Sequence, residues 1–391
     1  MWRQACTQAM GLARRRIKSV QQLKKVKHHF TTKTYHKYKR TCTSSVFAPR
    51  DTTDKSTDSM GVSGSKPHVI ETKWFPGFED KLPSLEGKTV VITGTTSGTG
   101  LIVARTCIKK CAKNVLLLNR PSERATKAED ELKTFIVDGK TNVETIPCDL
   151  QDFSSVRAAA DKIKADHEAI DVLCNNAGVM ALEDKATKDS YDVQMQTNHL
   201  SHFILTKELF PLLKRAHELR GEARVVHHSS AARHGAPLKA EYFGKNGGNL
   251  GGDGASMLFG GARWARYSQT KLANSVFSMA LADRFGDSGI KAAVAAPGIA
   301  TTNLQVSTYQ DGGMGSGMWF MRFAQSAEDG AMPILAACFD PSTENGDFWE
   351  PANRANAVGP AVKVQCKRSC DPENAKLLWK ESEEACGAFE I

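Results

Sequence analysis

The stretch from Lys88 to Ala112 leaves few folds open. Lys88-Thr-Val-Val-Ile-Thr93 reads as a buried strand and runs directly into Gly94-Thr95-Thr96-Ser97-Gly98-Thr99-Gly100. A helix pattern follows, with apolar residues at Leu101, Ala104, Ile108 and Ala112. Strand, glycine turn and helix make a phosphate cradle: Gly94 permits the tight turn, Gly98 lets backbone amides approach a diphosphate, and Gly100 lets helix and strand pack closely. Thr96 and Ser97 sit between these glycines and belong to the same candidate cofactor site.

Further along, strand patterns near residues 88–93, 114–119, 143–148, 171–175, 224–228 and 290–296 alternate with helix patterns. That alternation predicts an α/β fold: a Rossmann-type, doubly wound parallel sheet with helices on both faces. Its 391 residues, 41% hydrophobic, suit one large domain and are thin for two. The expected organisation is an extension over residues 1–70 and a domain over 71–391, with Trp74-Phe75-Pro76-Gly77-Phe78 packing on it as a short aromatic arm.

Tyr267 and Lys271 stand four residues apart, so on a helix a phenol and an ammonium share one face. A free tyrosine titrates near about 10, and a fixed cation beside it favours the phenolate. Such a pair can move a proton.

The glycine spacing Thr-Gly-x-x-x-Gly-x-Gly resembles that of the short-chain dehydrogenase/reductase family, and later motifs arrive in that family's order. They are Asn175-Asn176-Ala177-Gly178, Asn198 within Thr197-Asn198-His199-Leu200, Ser229-Ser230, Tyr267 with Lys271, and Pro297-Gly298-Ile299-Ala300-Thr301-Thr302. Thr197 to Phe203 and Ser268 to Asn274 are most similar to the retinol dehydrogenase-like and protochlorophyllide reductase-like branch.

The resemblance implies an oxidoreductase that interconverts a carbonyl and an alcohol on an apolar or bulky small molecule by hydride transfer. Tyr267 would be the general acid/base. Lys271 would lower its pKa and hold the nicotinamide ribose. Ser230, rather than Ser229, would bond the reacting oxygen, and Asn198 would place a water in a proton relay. Tyr267, Lys271, Pro297, Gly298 and Thr302 would line the nicotinamide end of the cofactor. Asn176, Ala177 and Gly178 would line the adenine ribose, and Asp149 and Leu150 would stand on the adenine side. The second strand ends Leu118-Asn119-Arg120 with no acidic residue, so Arg120 suits the 2′-phosphate of NADP(H), while Arg124 one turn on reads equally as its helper or as a solvated helix residue. Two alternatives are a protochlorophyllide reductase-like enzyme and a non-catalytic dinucleotide-binding interaction protein; intact Ser230, Tyr267 and Lys271 argue against the second.

Residues 1–50 carry 13 Lys and Arg and no Asp or Glu, which accounts for the net charge of +9 and leaves the remainder near −4. No nucleic-acid surface on the domain is therefore expected from the charge balance. The tail has three readings: an organelle presequence, which would direct the chain to a mitochondrion or similar compartment; a basic arm at a membrane surface; or an extension preceding a start at Met60, leaving the protein cytoplasmic. No apolar run of about 18 residues predicts a membrane span. The ten cysteines lack metal-type pairs, so neither a metal site nor a disulfide framework is expected. The loop Gly244–Gly254 is read equally as a flexible insertion or as part of the substrate site; the family resemblance implies that Gly312–Phe323 is a lid with apolar side chains, the other reading of its Met and aromatic residues being plain core.

Overall fold

In the computed structural model, the described residues are 70–391 except 138, 236, 255–259, 314–323, 366–370 and 391. The basic extension and most of the expected lid thus lie outside them.

The fold follows from strands whose residues are apolar on both faces. β1 (Thr89–Thr93) is buried throughout, and β2 (Asn114–Asn119) is buried beyond its first residue. Strands of this kind need helices on both sides. After β1 come α1 (Gly98–Lys109), β2, α2 (Glu123–Lys133), β3 (Asn142–Pro147), α3 (Phe153–Asp166) and β4 (Val172–Asn175). The second half adds α4 (Ser201–Arg220), β5 (Ala223–His228), α5 (Ala262–Phe285), β6 (Ile290–Ala295), α6 (Asn303–Gln310), α7 (Ala327–Phe339), β7 (Phe348–Asn353), β8 (Val358–Val364) and α8 (Pro372–Cys386).

The strands form one eight-stranded sheet in the order β3-β2-β1-β4-β5-β6-β7-β8, parallel except for β8, which runs antiparallel to β7. The doubly wound parallel sheet expected from the sequence is therefore present, with two strands more than the periodicity revealed. β1 leads away to β2 on one side and pairs with β4 on the other, both in parallel, so the order in which strands are added across the sheet reverses between β1 and β4. At such a switch point the loops beyond the carboxyl ends of the strands diverge and leave a crevice for a ligand.

Each face carries its own apolar layer. Leu173, Phe203, Leu272, Phe277 and Trp379 belong to one, and Ile92, Ile108, Leu335 and Trp349 to the other. Phe75 joins the second layer from the short helix Phe75–Glu79. The backbone N–H groups of Lys73, Trp74 and Phe75 all donate to the buried carboxylate of Asp329, each at 2.9 Å, which fixes the aromatic arm to the start of α7.

Candidate functional site

The glycine turn leaves no room for side chains. Gly94 has φ +72, and a Cβ there would stand 2.9 Å from the Cα of Ala177; one on Gly100 would stand 2.3 Å from the Gly94 carbonyl oxygen. Both substitutions would push backbone against backbone. Gly98 has φ +62, and its Cβ position lies 3.4 Å from the Cβ of Thr302. The turn and the loop after β6 thus flank one narrow space at the amino end of α1, where unpaired N–H groups and the helix dipole suit an anion. Thr96 and Ser97 are both half-buried beside it.

Two asparagines hold this turn. Asn119, the last residue of β2, accepts from Thr95 N at 2.9 Å and donates to Thr95 Oγ1 at 2.7 Å. The sequence reading passed over Asn119 in favour of its neighbour Arg120. Asn176 donates to the carbonyls of Thr93 and Gly94, and its Oδ1 accepts from Thr99 Oγ1 at 2.8 Å and pairs with His228 Nδ1 at 3.0 Å. Asn176, expected to line an adenine ribose, thus has its side chain bonded within the protein. Ala177 fits the turn through its backbone N–H, which donates to Thr93 Oγ1 at 2.9 Å.

Around Tyr267 the expected residues converge. α5 carries Tyr267 and Lys271 one turn apart, both buried, with Lys271 Nζ 5.7 Å from the phenol ring centre. Burial pushes the Tyr267 phenol up to about 12, and the Ser230 side chain acts in the opposite direction. Burial also pushes the Lys271 ammonium down to about 8. The expected lowering of the phenol by Lys271 is therefore not what dominates here: desolvation of the ring outweighs it. Lys271 donates to the His228 carbonyl at 3.0 Å.

Ser230 and Ser229 separate cleanly. Ser229 is buried, donating to the Lys271 carbonyl at 2.7 Å and accepting from Ser275 Oγ at 2.7 Å. Ser230 is half-buried beyond the end of β5, where its Oγ accepts from Ala232 N at 3.3 Å and hydrogen-bonds the Tyr267 phenol. Its preference over Ser229 has a physical basis: Ser229 already closes the α5–β5 contact.

Asn198 lies in a π turn, Gln196–Leu200, ahead of α4. The wider turn breaks the helical ladder and frees local backbone for other partners. Asn198 Oδ1 accepts from Val179 N at 2.7 Å, and its Nδ2 donates to the Val179 carbonyl and to Thr270 Oγ1, each at 2.9 Å. A Cβ on Gly178 would stand 3.1 Å from Asn198 Oδ1 and 3.3 Å from Lys271 Nζ, so these two polar groups meet over the bare Cα of Gly178. His202 Nδ1 donates to the Asn198 carbonyl at 3.0 Å, leaving its Nε2 to accept from Thr93 Oγ1 at 3.0 Å. One neutral imidazole thereby ties the π turn to the glycine-turn strand, a link the sequence reading missed.

The remaining expected residues ring the crevice. Asp149 and Leu150 follow β3; Asp149 Oδ1 accepts from Gln151 N at 2.9 Å, and the Leu150 carbonyl accepts from Ser201 Oγ at 2.6 Å. Arg120 is exposed after β2. Arg124 reaches the glycine turn itself, donating to Ser97 Oγ at 2.7 Å, beside a surface pocket of about 300 Å³ lined by Thr96, Arg124 and Lys127 with Glu123 and Glu131. Pro297 and Gly298 are fixed from the far side, since Gln325 Nε2 donates to the Pro297 carbonyl at 2.9 Å and Gly298 has φ +68. The Thr302 hydroxyl donates to Gln305 Oε1 at 2.5 Å.

Next to Tyr267, Met180, Ala181 and Trp264 form an apolar cluster with Leu304 and Ala232 packed against it. The preceding residue, Arg266, is fully buried and donates to the carbonyls of Leu250, Gly252 and Leu182 at 3.1, 2.9 and 3.0 Å. Asp184 Oδ2 accepts from Leu250 N and Gly252 N. The glycine-rich loop is thus strapped to the start of α5, against the reading of a free insertion.

Known proteins agree with this architecture. The family described as short chain dehydrogenase matches residues 88–243. A short-chain dehydrogenase/reductase of Armillaria gallica is 32% identical over 78% of this chain and 93% of its own length. The chain belongs to the short-chain dehydrogenase/reductase family. An oxidoreductase of Schizosaccharomyces pombe is 38% identical over 59% of this chain, though the match spans only 65% of that relative. Human retinol dehydrogenase 13 is 27% identical over 78% of this chain and 86% of its own length, in keeping with the retinol dehydrogenase-like branch. A solved structure from Mycobacterium paratuberculosis is 30% identical, covers 83% of this chain and all of its own, and superposes with a TM-score of 0.61. Within this family the chain is an oxidoreductase. Among the described residues no helix is long and apolar enough to cross a membrane.

Proposed function

We propose that this short-chain dehydrogenase/reductase is an NADP(H)-dependent carbonyl reductase or alcohol dehydrogenase acting on an apolar substrate, with Tyr267 as its general acid/base. The observation that carries the reading is the convergence on Tyr267: the Ser230 hydroxyl hydrogen-bonded to the phenol, the ammonium of Lys271 and the apolar cluster of Met180, Ala181, Trp264 and Leu304. A phenol at about 12 is protonated at neutral pH and ready to donate to a carbonyl oxygen. Ser230 would hold that oxygen, which turns proton delivery into a positioned, effectively intramolecular step. Lys271 and Asn198, meeting over Gly178, would carry a replacement proton toward Tyr267 through water.

The cradle of Gly94, Gly98 and Gly100 fits a dinucleotide diphosphate, because close approaches exclude a Cβ at Gly94 and Gly100 and the left-handed φ of Gly98 disfavours one there, leaving bare backbone at the amino end of α1. When bound, the nicotinamide would supply or accept the hydride. Pro297, Gly298 and Thr302 would orient it, while Arg124, Lys127 and the exposed Arg120 would meet a 2′-phosphate with fixed positive charge. Met180, Trp264 and Leu304 would bury the apolar part of the substrate, as suits a retinoid-like or aliphatic carbonyl.

The test is turnover of retinoid, steroid and aliphatic aldehydes with NADPH and with NADH, followed at the nicotinamide absorbance. Reduction of an apolar aldehyde at a higher kcat/KM with NADPH is expected. No turnover of any carbonyl with either cofactor would contradict the proposal.

A further inference from the structure

Ser230 is held at its backbone by a buried ion pair that the proposed reaction does not itself use. Arg233 and Glu350 have side chains only 4% and 3% exposed and pair at 2.8 and 3.2 Å. The same Arg233 Nη1 donates to the Ser230 carbonyl at 3.2 Å, beside the Arg233 backbone N–H at 3.0 Å. Phe348 lies under the guanidinium, 4.5 Å from ring centre to Cζ. Asn356 Nδ2 donates to Glu350 Oε2 at 2.8 Å from the turn between β7 and β8, where Arg354, Ala355 and Asn356 all have positive φ.

That turn grips the opposite wall of the crevice too. Ile299 N donates to the Ala357 carbonyl at 2.7 Å, and a Cβ on Gly298 would stand 2.2 Å from the same oxygen. Gly359 N donates to Gln325 Oε1 at 2.9 Å, and Gln325 in turn holds the Pro297 carbonyl. The β7–β8 hairpin therefore fixes Ser230 through Glu350 and Arg233, and fixes Pro297 to Ile299 through Ala357 and Gln325.

We infer that Arg233 and Glu350 are positioning residues for the reaction, setting Ser230 against Tyr267 by anchoring the Ser230 backbone to the frame that carries the Pro297–Ile299 loop. This rests on the roles given to Ser230 and Tyr267 above. Neither side chain reaches the crevice as a proton donor, since each is enclosed by the other, by Phe348 and by Asn356. A buried pair kept only for folding would be replaceable by apolar residues of similar size without loss, because desolvation offsets its attraction. A pair kept for placement would not.

The experiment replaces Arg233→Met together with Glu350→Leu in the full chain, in the native background and again with Ser230→Ala. In the native background kcat is expected to fall on the order of tenfold to a hundredfold, the loss associated with misplacing a reacting group by about 1 Å, while the melting temperature and NADPH affinity stay as they were and KM changes little. In the Ser230→Ala background the same pair of changes should leave kcat unaltered, because the group being positioned is gone. An undiminished kcat in the native background, or an equal fall in both backgrounds, overturns the inference. Should the double replacement fail to fold, Glu350→Gln, which keeps the side chain's shape and removes its charge, is read in the same cycle with the same two outcomes. The unaltered protein is the control: turnover there with no effect of the pair contradicts the positioning role alone, whereas no carbonyl turnover at all removes the proposed function and this inference with it.

Discussion

Lys271 holds its ammonium nitrogen 5.7 Å from the ring centre of Tyr267, one turn away on α5, with both side chains buried. Burial acts on them in opposite directions, raising the phenol to about 12 and lowering the ammonium to about 8. Of the two, only the lysine changes charge within a pH range where enzymes are ordinarily assayed.

The first prediction concerns that lysine. Lys271 is charged below its pKa, so its positive charge is present at pH 6 to 7 and is lost as pH rises through about 8. If the ammonium helps to hold the cofactor, the NADPH dissociation constant should be flat at low pH and climb above about 8. Lys271→Met should weaken binding at pH 7 and flatten the profile. Fluorescence titration at several pH values checks this, and a wild-type profile flat to pH 10 would exclude the ammonium from cofactor binding.

A second prediction concerns three fully buried histidines near the π turn. Burial holds His199 near about 3, His202 near about 4 and His227 well below its ordinary value. Each stays neutral in the folded chain but takes up a proton near about 6.5 when unfolded. The unfolded chain therefore binds more protons below that pH, and stability is lost as pH falls from about 6.5 toward 4, at up to about 1.4 kcal/mol per pH unit for each histidine. Urea denaturation at pH 7, 6 and 5 should show the midpoint dropping steadily. His227→Gln, able to keep a bond to Asn175 or Ser278 without titrating, should reduce the slope.

Arg124 yields a third. It reaches the glycine turn through Ser97 and lines the adjoining pocket with Lys127. Arg124→Ala should weaken NADPH binding by about tenfold or more, one charge-assisted bond being worth roughly 1.5–3 kcal/mol, and should leave NADH binding nearly unchanged. Equal weakening of both cofactors would mean that Arg124 supports the turn and does not read the phosphate.

The aromatic arm supplies a fourth. Asp329 accepts three backbone N–H bonds from residues 73–75, so removing the arm strands a buried carboxylate. A chain starting at Met60 should melt like the full chain. One starting at Lys81 should lose about 3 kcal/mol or more, since an unsatisfied buried charge costs at least that order. Equal melting temperatures for the two would show the arm to be dispensable.

Six of the eight strands were legible from the sequence to within a residue or two, most of them because they are apolar runs next to turn residues, and the more polar β3 through its place in the strand–helix alternation. β7 and β8 were not: Phe348-Trp-Glu-Pro-Ala-Asn353 and Val358-Gly-Pro-Ala-Val-Lys-Val364 carry prolines and charges that weaken a strand pattern, and only pairing at the sheet edge makes them strands. The same loss hid Glu350, whose partner Arg233 is 117 residues away. Tyr267, Lys271, Ser230 and Asn198 were visible by motif, but the π turn was not, since residues 191–206 are buried on every side and present no periodic face whose shift would mark an extra residue. Asn119 acts through two bonds to Thr95, and His202 through a bond to the distant Thr93, none of which a local pattern announces. The four bonds that the Asn176 side chain makes inside the protein were hidden for a related reason, each partner lying far away in the sequence.

The central claim is that Tyr267 moves the proton, and Tyr267→Phe tests it with the least disturbance, because the ring and its contact with Trp264 remain and only the hydroxyl is lost. Turnover of an apolar aldehyde with NADPH should fall by about a hundredfold to ten-thousandfold, the range general acid catalysis contributes, with NADPH affinity within about twofold of the unaltered protein. A Tyr267→Phe protein that binds NADPH normally and still turns over at the full rate would contradict the account.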